Sequence, residues 1–128
     1  MIDHLSITVG DIWKARAFYD AVLAALGAGR LMNLEHGEVV ISGYGQESKP
    51  SFWIAAGTGE SAEPMRGHIA FAASDRSAVD AFHRAALAAG AIDNGAPGLR
   101  PNYHPTYYAS FVIDPDGHRL EAVCHAPE

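Results

Sequence analysis

Two histidines and one glutamate stand out by position as well as by type. His4 lies near the start of the apolar run 4–10 and His68 near the start of a similar run, 64 positions later. Each run closes on an aspartate, Asp11 and Asp75, and Glu121 sits in another apolar stretch further on. A neutral imidazole nitrogen and a carboxylate oxygen both donate well to a divalent transition metal. Two imidazoles and one carboxylate also leave positions vacant for water or a chelating substrate. Such a set suits Fe(II), Mn(II), Ni(II), Co(II) or Zn(II) better than Ca(II), which prefers all-oxygen cages. The same residues equally suit histidines satisfied inside the fold and a glutamate facing solvent, since the chain holds seven histidines.

The elements that must position these groups repeat as well. Residues 4–9 alternate polar and apolar, the period of a half-buried strand. Asp11 stands where a helix cap is wanted, and Phe18, Val22 and Leu26 follow at helical spacing until Gly27 can end the turn. Three short strands are expected around 29–34, 38–42 and 51–55, then a Gly- and Ser-rich connector over 57–66. The order returns with a strand at 68–73, a helix at 77–89, a Gly/Pro-rich region at 93–105 and strands at 107–113 and 118–124. Asp114-Pro115-Asp116-Gly117 is a turn, because proline presets one dihedral and glycine tolerates positive φ. The whole predicts one α+β domain over 1–128, with halves at about 1–60 and 66–126. Helices should cover one face of curved sheet and leave the other to form a cup.

Period two places His4, His68 and Glu121 on the faces turned away from the helices. The segment 102–108 reads either as a substrate wall or as a capped loop leading into a core strand, and supplies His104, Tyr107 and Tyr108 as candidate catalytic groups: tyrosine offers an apolar face with a hydroxyl, and an imidazole can relay a proton. Tyr107 and Tyr108 must face opposite ways, so at most one reaches the cup from the strand. Arg119 is either an attractor of anionic substrate or a solvated strand cation. His118, just after the turn, is expected to be exposed, and Trp13 and Trp53 are expected in the core or at a subunit seam.

Composition narrows the partners. A formal net charge of -6 argues against a nucleic-acid backbone or an anionic membrane surface. The single cysteine, Cys124, excludes an intrachain disulfide framework and suits a reducing compartment. The N-terminal residues do not read as a secretory leader, so cytoplasm is expected.

The chain resembles the vicinal oxygen chelate superfamily, which includes glyoxalase I, extradiol dioxygenases and the bleomycin and fosfomycin resistance proteins. The resemblance rests on His4-Leu5-Ser6-Ile7-Thr8-Val9-Gly10-Asp11 with Ala17-Phe18-Tyr19, on Gly67-His68-Ile69-Ala70-Phe71, and on Phe111 through Glu121 with its Asp114-Pro115-Asp116-Gly117 turn. It implies paired βαβββ modules whose sheets close around a divalent metal, with His4, His68 and Glu121 as ligands. It also implies a small-molecule substrate, a reaction of lyase, isomerase or dioxygenase type, and a homodimer. A metal-free protein that sequesters a ligand is the alternative. Glyoxalase I has a further carboxylate late in its first module, and the matching position here falls near Ile54, which cannot act as a base.

Overall fold

The computed structural model describes residues 1–128, apart from the side chains at 59 and 60. The first half runs β1 (Leu5–Val9), α1 (Ile12–Ala24), β2 (Gly29–His36), β3 (Val39–Gln46) and β4 (Lys49–Ala56). A short 3-10 turn, Gly59–Ala62, lies in the connector. The second half repeats the order as β5 (His68–Ala72), α2 (Arg76–Ala88), β6 (Ile92–Leu99), β7 (Tyr108–Ile113) and β8 (Arg119–Cys124). Each half is one four-stranded mixed sheet, ordered β1-β4-β3-β2 and β5-β8-β7-β6. The parallel pairs are β1 with β4 and β5 with β8. This is the α+β, paired βαβββ architecture expected from the repeat. Among the described residues no helix is long and apolar enough to cross a membrane.

The local signals act as their chemistry requires. Asp11 accepts from the backbone N–H groups of Trp13 and Lys14, and Asp75 from that of Ala78, which satisfies otherwise unpaired donors at each helix start. Gly117 closes its turn at φ +94°, while Asp114 Oδ1 accepts from the N–H groups of Asp116 and His118. β6 is longer than the Gly/Pro-rich sequence suggests. It is an edge strand whose register breaks between Asp93 and Gly95 and again between Gly95 and Gly98, so Pro97 needs no ladder partner.

The helix-covered faces of both sheets turn toward one shared core. Ile7, Phe18, Tyr19, Phe52 and Ile54 from the first half meet Ile69, Val79, Phe82, Leu120 and Ala122 from the second. α1 packs on α2, and Phe52 meets Phe71 edge to face with ring centroids 5.2 Å apart. Among the described residues three polar contacts join the halves: Tyr19 Oη donates to Asp114, Gly10 N to Asp116, and His118 Nε2 to the Thr8 carbonyl. His118 is therefore buried, contrary to the exposure expected from its place after a turn, because β1 passes directly over that turn. Of the two places expected for Trp13, core or subunit seam, the core is excluded: it is 60% exposed, with the Arg16 guanidinium stacked on it.

With the core between the helix-bearing faces, the opposite faces look outward. Sheet 1 presents Leu34, Ile41, Trp53 and Ser6 there, and sheet 2 presents His68, Ala70 and Glu121.

Candidate functional site

The site is built on the outward face of sheet 2. Ala70 is the register partner of Glu121 on one side and Phe111 on the other, so the carboxylate stands between a methyl and a ring. His68 Nε2 lies 3.2 Å from Glu121 Oε1. Tyr107 Oη donates to the second oxygen, Oε2. Glu121 is only 2% exposed, whereas the His68 ring is open to solvent. A buried carboxylate requires partners on both oxygens, and it has them.

Tyr107 sits one residue before β7 and shares its face with Phe111, by the same period-two rule that turns Tyr108 the other way. Burial, and then the Glu121 carboxylate, push its phenol up to about 12, so it remains a donor at neutral pH. Its ring packs against Tyr103, His104 and His125. His104 Nδ1 accepts from the Thr106 N–H, which leaves Nε2 to donate to His125 Nδ1 at 2.7 Å. Around these groups lies a cavity of about 590 Å³, lined by His68, Glu121, Tyr107, Tyr103, Phe111 and Arg119 among others. That volume falls within the roughly 300–1,000 Å³ typical of small-molecule sites.

Tyr108 is on the helix side, where its hydroxyl donates to Asp80 of α2. His4 lies one residue before β1 of sheet 1, with Nδ1 at 2.7 Å from Asp3 Oδ1 while Lys49 Nζ reaches the other Asp3 oxygen. The hydrogen bond from His4, then that from Lys49, holds the Asp3 carboxyl below its ordinary range. Among the described residues no three His, Cys, Asp or Glu side chains are placed to hold one metal ion. One chain brings His68 and Glu121 together and leaves His4 elsewhere.

The register also corrects the position matching Glu121 in the first half. Glu121 lies opposite Ala70, and Ser6, 64 positions before Ala70, lies opposite Trp53. The counterpart is Trp53 rather than Ile54, which points into the core and is fully buried. The indole lies across Gly43, where an added Cβ would approach its ring to 2.7 Å. Tyr103, within the segment 102–108 read from the sequence as a substrate wall, lines the cavity, whereas Phe111 was not singled out as a pocket wall. Phe111 was within reach, because it shares strand parity with Tyr107, but its place beside Glu121 comes from the β7–β8 ladder.

The doubled βαβββ chain thus carries an imidazole–carboxylate pair and an aromatic pocket on one sheet. The chain belongs to the Glyoxalase/Bleomycin resistance protein/Dioxygenase superfamily, whose family model matches residues 1–122. A glyoxalase/bleomycin resistance protein from Albidiferax ferrireducens T118 is similar at 28% identity, with TM-score 0.78, covering 95% of this chain and 97% of that one. A glyoxalase I mutant from Zea mays shares the fold at 22% identity and TM-score 0.73, covering 95% of this chain and 46% of that one. A mutant of the fosfomycin resistance protein FosX from Listeria monocytogenes, complexed with Mn(II) and a dihydroxypropylphosphonic acid, does so at 20% identity and TM-score 0.68, covering 96% and 88%. No curated protein sequence matches the chain.

Proposed function

We propose that the protein is a cytoplasmic, metal-dependent enzyme of the glyoxalase/dioxygenase type, acting as a homodimer on a small molecule that chelates the metal through neighbouring oxygens. The observation that carries this is the approach of His68 Nε2 to Glu121 Oε1 at 3.2 Å inside an aromatic cavity. The pair fits a divalent transition metal by donor chemistry: one borderline nitrogen and one anionic oxygen, within reach of a common centre. A metal bound there would supply positive charge against an enolate-like or catecholate oxygen.

The chain's own residues prepare that chemistry. Tyr107 fixes Glu121 by one oxygen and so aims the other toward His68, the work of an outer-shell partner. Tyr103, Tyr107 and Phe111 give the cavity aromatic walls. The third ligand, His4, would come from a second copy of the chain laid with its sheet 1 over sheet 2. Support for that arrangement is the apolar outward face of sheet 1, where Met32 and Leu34 are 43% and 50% exposed. Trp53 cannot take a proton, so the reading as a glyoxalase I lacks its first-module base.

Protein purified without chelator should carry close to one equivalent of transition metal, lost in His68→Ala and in Glu121→Gln. Less than about 0.2 equivalents in the unaltered protein would overturn the proposal. A metal-free ligand-binding protein is the second reading, favoured by the fact that both Glu121 oxygens already have protein partners. Undiminished ligand binding in His68→Ala would support it.

A further inference from the structure

Of the chain's seven arginines, four are committed elsewhere. Arg16 pairs with Glu35, Arg30 with Asp20 and Arg76 with Glu128, while Arg100 donates to the carbonyls of Ala96 and Gly98 and stacks on Phe111. Arg119 is exposed, lines the cavity, and has no hydrogen bond or ion pair among the described residues. Its place is set by register: it is the partner of His68 across the β5–β8 pair and shares a face with Glu121 two residues on. Glu121 does not neutralise it, because its oxygens are engaged by His68 and Tyr107. The cavity therefore combines flat aromatic walls with one uncommitted planar cation.

From this we infer that the pocket takes a planar aromatic carboxylate, its acid group on Arg119 and its ring against Tyr103, Tyr107 and Phe111. The guanidinium fork matches a carboxylate with two parallel hydrogen bonds, and the rings offer offset or edge contacts to a flat ligand. A doubly charged phosphate suits the site less well, because Glu121 on the same face repels the added charge. The inference rests on this pocket being the functional site, and it gives Arg119 the choice of substrate class.

Calorimetric titration of chelator-treated protein with naphthalene-2-carboxylate and with its uncharged carboxamide tests the inference, since no metal is then present to hold the acid. The carboxylate should bind on the order of tenfold more tightly. Arg119→Met should abolish that preference while retaining carboxamide binding, Arg119→Lys should keep part of it, and Tyr103→Ala should weaken both ligands. Equal affinities in the unaltered protein, no binding of either probe, or an undiminished preference in Arg119→Met would overturn it. Failure of the metal reading alone would look different: protein purified without metal that still prefers the carboxylate.

Discussion

The buried imidazole of His118 donates through Nε2 to the carbonyl of Thr8, 2.8 Å away in the other half of the chain. Its Nδ1 accepts from the backbone N–H of Met65 at 3.3 Å, so one ring ties β1 and the connector to the turn before β8. His118→Ala would leave a cavity and two main-chain groups without their partner. We expect a loss of about 2–4 kcal/mol in urea denaturation. His118→Gln, which can still donate and accept, should recover part of that loss.

Tyr107→Phe removes the hydroxyl that holds Glu121 and leaves the ring packing intact. If Glu121 is a metal ligand, loss of this outer partner should weaken metal binding by roughly 10–100-fold. Competition against a chromogenic chelator reads this directly. Unchanged affinity would mean that the phenol does not position the carboxylate.

A site shared between copies should show complementation. His4→Ala and Glu121→Gln each damage every site of their own homodimer. Mixed after reversible dissociation, they should regain about a quarter of the intact sites, because half the dimers are mixed and each mixed dimer has one unaltered site. Metal content of the remixed sample is the measurement. No recovery, with subunit exchange verified by mass, would place all ligands in one chain or none in a site.

Helix α2 should lose its cap in acid. Asp75 has its carboxyl lowered below the ordinary 3.8, first by the Ala78 N–H and then by Ser77. Its stabilising contribution is full above the unfolded value and disappears as pH falls through the lower folded value. Asp75→Ala should therefore lower the urea midpoint at pH 7, and the difference from the unaltered protein should shrink below about pH 3.8. Asp114 acts in the opposite sense. Burial raises its carboxyl, so its native form favours the proton and is relatively less stable once pH rises above the unfolded value. A cap difference that persists undiminished at low pH would show that the Asp75 charge is not what holds the helix start.

Much of the architecture was legible because its signals are local. Alternation named the strands, Asp11 and Asp75 marked the helix starts, and period two separated Tyr107 from Tyr108 before either had a position in space. The errors arose where a distant segment decides burial. His118 looked exposed from its turn, yet β1 covers it, and Trp13, left open between core and subunit seam, is turned out of the core by α1. The one-residue shift from Ile54 to Trp53 belongs to the same class. Strand parity limits a residue to one of two faces, and only the ladder from Ser6 to Trp53 settles which residue stands opposite.

The sequence by itself determined the doubling, the element order and the three candidate ligands, since each follows from residue type and spacing along the chain. Which candidates meet is a tertiary result. Both sheets bury their helix-bearing faces in one core, so the repeat that gives His4 and His68 equivalent places also puts them on separate outward faces. His68 gains Glu121 from the neighbouring strand β8, while the corresponding place beside His4 is taken by Trp53. The physical reason is that burial of the shared apolar core orients whole sheets, and an orientation of sheets cannot be read from the alternation within any one strand.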